Sequence, residues 1–264
     1  MSIIRKKASP ATAHLTVHDN LPEVSVSEDA EVRYLHLGTP WIQGSMRLKT
    51  PFEIDLEYVQ RMMAWLLFTQ PDDVKEKQAV QLGLGAAALT KFHHKKLRMR
   101  TTAIEINPQV VNVCRSWFKL PPDSETLHVI LADAAQEIRK PQWEACVDAL
   151  QVDLYDHHAA APVLDSTDFY ADCRAMLTAD GCMTVNLFGR SSSYQHSLEK
   201  ISHAFGAENI WAFRPTREGN TIVLAQRVAT PLTRQELQER AEAVQAHWGL
   251  PAHKWPKVFK RIVD

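Results

Sequence analysis

The stretch Gln81-Leu-Gly-Leu-Gly-Ala-Ala-Ala-Leu89 decides the fold, together with two acids placed at fixed distances beyond it. Glu105 comes 20 residues after Gly85, in the apolar run Thr102-Ala-Ile-Glu-Ile106. Asp133 comes 28 residues after Glu105 and closes His128-Val-Ile-Leu-Ala-Asp133. A strand, a tight Gly turn, a helix, and acids at the tips of the next two strands describe a nucleoside pocket. Gly83 and Gly85 let backbone approach a ligand. An acid after the second strand, Glu105, can accept hydrogen bonds from both ribose hydroxyls. Asp133, after the third, can accept one from an adenine amine.

Outward from this unit the pattern stays α/β. Upstream, Glu31–Leu37 alternates, Gly38-Thr-Pro40 turns, and Trp41–Leu48 continues extended, which predicts a β-hairpin. Residues 1–28 are polar and predict an irregular lead. Leu56 to Phe68 carries apolar residues at helical spacing. Downstream the expectations are strand 79–83, helix 86–95, strand 101–106, helix 108–118 with Asn107 as cap and Pro108 at its first position, strand 128–132 and helix 134–138. They continue with strand 149–153, a helix from Asp168 to Leu177 that closes at Asp180-Gly181, strand 182–188, and helix 194–205. A hairpin of 209–214 and 221–226 and a charged helix over 231–247 complete the series. The expected division is an N-terminal hairpin and helix region (1–70), a Rossmann-like nucleoside-binding domain (71–230), and a C-terminal helix and tail (231–264).

Gly83-x-Gly85-x-x-Ala88 also fits a dinucleotide fingerprint. A dinucleotide fold continues into a second parallel half, whereas this chain stops after five α/β strands and closes with an antiparallel hairpin. That ending resembles the Rossmann-like fold of S-adenosylmethionine-dependent transferases.

A second segment carries the chemistry. Gln151-Val-Asp153-Leu-Tyr-Asp156-His-His158 leaves the carboxyl end of the fourth strand, where open α/β sheets bind ligands. Two carboxylates three residues apart suit a cationic substrate: one can take a proton from an ammonium while the other holds a charged nitrogen. Asp153, closest to its strand, is expected to be the more rigidly held and desolvated of the two. Asp156, further along the loop, is expected to be the more solvated.

The order of the Gly loop, Ile104-Glu105-Ile-Asn, Ala132-Asp133-Ala and Val152-Asp153-Leu-Tyr-Asp156 resembles the polyamine aminopropyltransferases, the spermidine synthase family. Leu35-His-Leu-Gly-Thr-Pro-Trp-Ile-Gln43 is similar to that family's hairpin ending in Gln. Asp55-Leu-Glu-Tyr58-Val-Gln-Arg-Met62 is similar to its acidic-Tyr-Met helix, and Phe169-Tyr170 to its aromatic pair. The resemblance spans roughly residues 31–228. It implies transfer of an aminopropyl group from decarboxylated S-adenosylmethionine to a diamine or polyamine. Glu105 would then hold the ribose, Asp133 the adenine, Asp153 would act as base, Asp156 as amine anchor, and Gln43 and Tyr58 would close the pocket. It also implies a homodimer. The chain departs from the family at Ala86, Ala87 and Ala88, where further glycines and an acid for the donor's aminopropyl nitrogen are usual. It also has Val59 in place of His and His157 in place of Pro. These departures leave open a donor of S-adenosylmethionine itself, methyl transfer, or a binding protein without catalysis.

Composition narrows the classes further. Of 264 residues, 45% are hydrophobic and 23% charged, as in a globular protein. The net charge of −1 argues against nucleic acid as the main partner. No apolar run approaches the ~20 residues of a membrane span. The N-terminus lacks the apolar core of a secretory signal, and Cys114, Cys146, Cys173 and Cys182 form no C-x-x-C pair. A cytoplasmic protein with reduced thiols is expected. His157-His158 suggests no metal, since a third ligand is missing at suitable spacing. Lys91-Phe-His-His-Lys-Lys96 reads as a solvated basic face at a helix end. Trp65, Trp117 and Trp143 read as core.

Overall fold

The computed structural model describes residues 21–154, 164–188 and 191–263. It opens with a three-stranded antiparallel sheet, β1 (Val24–Glu28), β2 (Val32–Leu37) and β3 (Gly44–Arg47). The hairpin is β2–β3. β1 corrects the expected irregular lead: Val24 and Val26 pack against the apolar cluster beneath the sheet, a burial that the polar composition around them obscures.

The first helix, α1 (Glu57–Arg61), passes into a 3-10 segment, Met62–Phe68, earlier than its spacing predicts. Every residue from Met62 to Leu67 is buried, so no solvent face selects the 3.6 period. The Met62 carbonyl instead accepts from Thr184 Oγ1 (2.9 Å) and Gln151 Nε2 (3.2 Å), which ties the segment to the main sheet.

The α/β series comes next: β4 (Gln78–Leu82), α2 (Ala88–Phe92), β5 (Arg100–Glu105), α3 (Pro108–Trp117), β6 (Leu127–Leu131), α4 (Ala134–Glu137), β7 (Val147–Val152), α5 (Thr167–Met176), β8 (Leu177–Phe188) and α6 (Ser191–Phe205). Asn107 caps α3 as expected, accepting from the Gln109 amide at 2.9 Å with Pro108 behind it. β9 (Ile210–Phe213) and β10 (Asn220–Gln226) form the closing hairpin. α7 (Arg234–Trp248) begins with a Thr233/Glu236 capping box. β11 (Phe259–Arg261), in the tail, adds a strand that the Trp- and Pro-rich composition did not announce.

The main sheet has eight strands in the order β11-β9-β10-β8-β7-β4-β5-β6, parallel from β8 to β6 and antiparallel on the β10 side. Alternate residues feed its two faces. Ala79, Ala149 and Leu224 join the cluster under α7 and the Met62–Phe68 segment, while Val80, Leu150 and Val223 join the cluster under α5 and α6. Three departures have local causes. α5 ends at Met176 and β8 starts at once, with the Val147/Ala149 register shift absorbing Asp180-Gly181 inside the strand. The helix after the Gly loop begins late because Ala87 is left-handed (φ 57°), and a π-turn at His93–Leu97 extends it. The expected solvated face holds for the exposed Lys95 and Lys96 but not for Lys91 and His93. Lys91 is 1% exposed and donates from Nζ to the Phe118 carbonyl (2.7 Å), and His93 is fully buried beside Trp65, ring centroids 6.0 Å apart. Trp117 is 52% exposed rather than core, with the Arg33 guanidinium 5.3 Å above its ring.

Among the described residues no helix is long and apolar enough to cross a membrane, and all four cysteines are free.

Candidate active site

The carboxyl ends of β4, β5, β6 and β7 open into one cavity of about 930 Å³, closed on its far side by the N-terminal sheet and α1. Gln43, Tyr58, Gly83, Gly85, Glu105, Asp133 and Asp153 all line it. Asp156, His157 and His158 lie outside the described residues.

The loop after β4 is shaped by close approach. Gly83 has φ +84°, and a Cβ there would lie 2.3 Å from the Asp153 carbonyl oxygen. A side chain at this position would therefore separate β4 from the segment leaving β7. The Asp153 amide in turn donates to the Leu82 carbonyl (3.0 Å). On the other side, a Cβ on Gly44 would meet the Ala86 Cβ at 2.7 Å. The small residue after β4 lets the N-terminal sheet rest directly on the loop and brings Gln43 to the cavity wall.

Glu105 is buried, and its carboxylate is gripped by backbone. Oε2 accepts from the Leu84 amide and Oε1 from the Asn107 amide, both at 2.8 Å. Burial pushes its pKa up, and the Leu84 and Asn107 amides oppose that rise. The Ile106 amide contributes in the same sense. Asp133 stands at the start of α4, where Oδ1 accepts from the Gln136 amide at 3.1 Å. Asp133 thus serves as the N-cap of α4.

Asp153 is held by side chains. Asn186 Nδ2 donates to Oδ1 at 2.9 Å, and the Tyr58 hydroxyl donates to Oδ2 at a longer 3.3 Å. Burial pushes the Asp153 carboxyl up, with the Asn186 and Tyr58 hydrogen bonds opposing the rise. Its half-buried surface faces the cavity. Tyr58 is brought here by α1, whose Arg61 pairs with Glu57 (2.6 Å) and donates to the Arg214 carbonyl (2.6 Å). Asp55, on the same wall, is shared by Arg47 Nε (2.6 Å) and Ser45 Oγ (2.8 Å).

Sequence reasoning gave no site role to several polar residues of the wall, among them Asn186 on β8, Asn220 opening β10, and Glu218 in the turn before it. For Asn186 the available signal was an amide inside the apolar run Val185-Asn-Leu187, since a buried polar group requires a partner. The rim carries two exposed apolar side chains, Trp41 (67%) and Ile42.

The described wall contains six carboxylates (Asp55, Glu57, Glu105, Asp133, Asp153 and Glu218) and no Lys, Arg or His. Such a site favours cations.

No protein-family model matches the chain. Among curated proteins it is 33% identical to a polyamine aminopropyltransferase of Neisseria meningitidis, over 88% of this chain and 87% of that protein. Among solved structures it superimposes on a probable spermidine synthase of Corynebacterium glutamicum (TM-score 0.68, 14% identity, 90% and 87% covered). It also superimposes on human methyltransferase-like protein 13 in complex with SAH (TM-score 0.67, 23% identity, 74% and 93% covered). These superpositions carry the fold, the α/β transferase architecture expected from the closing hairpin, and the similarity to the Neisseria protein carries the family. The chain belongs to the polyamine aminopropyltransferase family.

Proposed function

We propose that this protein transfers the aminopropyl group of decarboxylated S-adenosylmethionine to a diamine or polyamine and releases methylthioadenosine. The observation that carries this reading is the wall with six carboxylates. Both reactants are cationic, whereas the amino-acid carboxylate of S-adenosylmethionine itself would meet a field of its own sign. Arg47 and Arg61 pair with Asp55 and Glu57, which leaves Glu105, Asp133, Asp153 and Glu218 as the wall acids with no basic partner among the described residues.

In this reading Glu105 binds the ribose hydroxyls. Asp133 takes the adenine amine with the oxygen not used for capping, and Gly83 and Gly85 let the donor lie against backbone. Asp153 is the base. It removes a proton from the acceptor ammonium, and the freed lone pair attacks the propyl carbon next to sulfur. The carbon–sulfur bond breaks with its electrons moving to sulfur, which becomes a neutral thioether. Burial supports this role by keeping the Asp153 carboxyl more basic than a solvated one. The leaving group carries its own activation as a sulfonium, so alignment and one proton transfer suffice without a metal. Gln43 and Tyr58 close the pocket, and Asp156 anchors the amine. The free cysteines suit a reducing cytoplasm, and a homodimer, expected from the resemblance, belongs to the same proposal.

Incubation with each donor and a panel of diamines and polyamines tests it. Methylthioadenosine is expected with decarboxylated S-adenosylmethionine and an amine. Formation of S-adenosylhomocysteine from S-adenosylmethionine would replace the reading with methyl transfer.

A further inference from the structure

Two buried asparagines of the cavity wall, Asn186 and Asn220, form a line behind Asp153. Asn186 lies near the end of β8, and Asn220, at the start of β10, sits opposite Phe188 in the antiparallel register. Asn220 Nδ2 donates to Asn186 Oδ1 at 3.1 Å, and Asn186 Nδ2 donates to Asp153 Oδ1 at 2.9 Å.

The direction of this line is forced by chemistry. An ionised carboxylate only accepts, so Asn186 must turn its NH2 group toward Asp153. Its carbonyl then faces Asn220, which must answer with its own NH2 group. Each amide is oriented by the one before it, and the line is satisfied only while Oδ1 carries no proton. The other oxygen, Oδ2, has the longer 3.3 Å contact with the Tyr58 hydroxyl, the weaker of the two hydrogen bonds.

We infer that Asn186, oriented by Asn220, is a positioning residue that keeps Oδ1 of Asp153 occupied and directs the substrate proton to Oδ2. The inference rests on the reading of Asp153 as the base. The donated hydrogen bond favours the charged carboxylate, so it holds in check the rise that burial causes. The pair thereby sets the pH at which the base becomes available, from residues that need not touch the amine.

The test tracks the ionisation of Asp153 by carboxyl carbon NMR on the whole protein without substrates. The pH profile of kcat is measured in parallel. Asn186→Leu is expected to move the Asp153 midpoint to higher pH and to carry the acid limb of kcat the same way. On that limb the rate should fall about tenfold or more, as for loss of a hydrogen bond to a charged group. Asn220→Ala should shift both in the same direction by less, because Asn186 stays but loses its orientation. If Asn186→Leu fails to fold, Asn186→Ser and Asn220→Ala carry the same comparison. Folded variants with an unmoved midpoint would overturn the inference. A wild-type protein that forms no methylthioadenosine would instead remove the proposed function, and the NMR titration would still decide whether the asparagines control Asp153.

Discussion

The cavity has two halves built by different means. At the β4–β6 end, Glu105 is positioned by main-chain amides of Leu84 and Asn107, and Asp133 by its place at the head of α4. At the β7 end, Asp153 is positioned by side chains that lie 95 and 33 residues away, Tyr58 and Asn186, with Asn220 behind. Backbone positioning is nearly independent of side-chain identity and recurs wherever βα units of ordinary length succeed a Gly turn. Side-chain positioning depends on particular residues that meet only after the sheet and the N-terminal segment have come together. In the proposed function the first half meets the unvarying nucleoside and the second the amine.

The halves touch at Gly83, where any Cβ would lie 2.3 Å from the Asp153 carbonyl oxygen. Breaking that contact should have the largest effect, because it disturbs both ends at once. Gly83→Ala is expected to lower thermal stability and to abolish both methylthioadenosine binding and turnover. Calorimetry and a thermal melt on one preparation check this. Retention of either function would show that the halves are less tightly joined than the close approach requires.

Glu105→Gln separates them. It replaces one accepting oxygen by an NH2 group that faces a backbone N–H, and it removes charge from the hydrogen bonds offered to the ribose. Hydrogen bonds to a charged group contribute about 1.5–3 kcal/mol each, so methylthioadenosine affinity should fall roughly 10- to 100-fold. Amine affinity should change little. Equal losses for both ligands would mean that Glu105 acts by holding the whole loop.

These contrasts also explain which parts of the site were legible in the sequence. Glu105 and Asp133 were legible because the lengths of the βα units fix where strand tips fall. Asp153 was legible because it ends an apolar run at the fourth such tip. Asn186 and Asn220 were not, since each is one amide in an apolar strand whose partner is distant in the chain. Lys91 and His93 misled for a related reason. Their charged neighbours read as a solvated face, but the left-handed Ala87 and the π-turn rotate both inward, where Lys91 reaches the Phe118 carbonyl. Trp117 read as core and instead ends α3 with its ring under Arg33.

His93 supplies a smaller effect that sharpens the comparison by separating core titration from site titration. Burial pushes its pKa down to about 3 from 6.5. Below pH 6.5 the unfolded chain takes up a proton that the native imidazole refuses, so stability should fall as pH drops from 6.5 toward 3. The slope contributed is at most about 1.4 kcal/mol per pH unit. The raised carboxyls of Glu105 and Asp153 act with the opposite sign: they favour the native state in acid and cost stability as pH rises. Denaturant titrations between pH 5 and 7 should show the decline in the wild type and a flatter curve in His93→Leu. An unchanged slope would assign the acid sensitivity elsewhere.

Asp153→Asn tests the central claim, that the β7 half supplies the base for transfer to an amine while the β4–β6 half only binds. Single-turnover aminopropyl transfer and calorimetric binding of methylthioadenosine are measured on the same protein. The expected rate is at least ~10²-fold lower, the lower end of general-base effects, with nucleoside affinity kept near wild type. A near wild-type rate in the Asp153→Asn protein would contradict it.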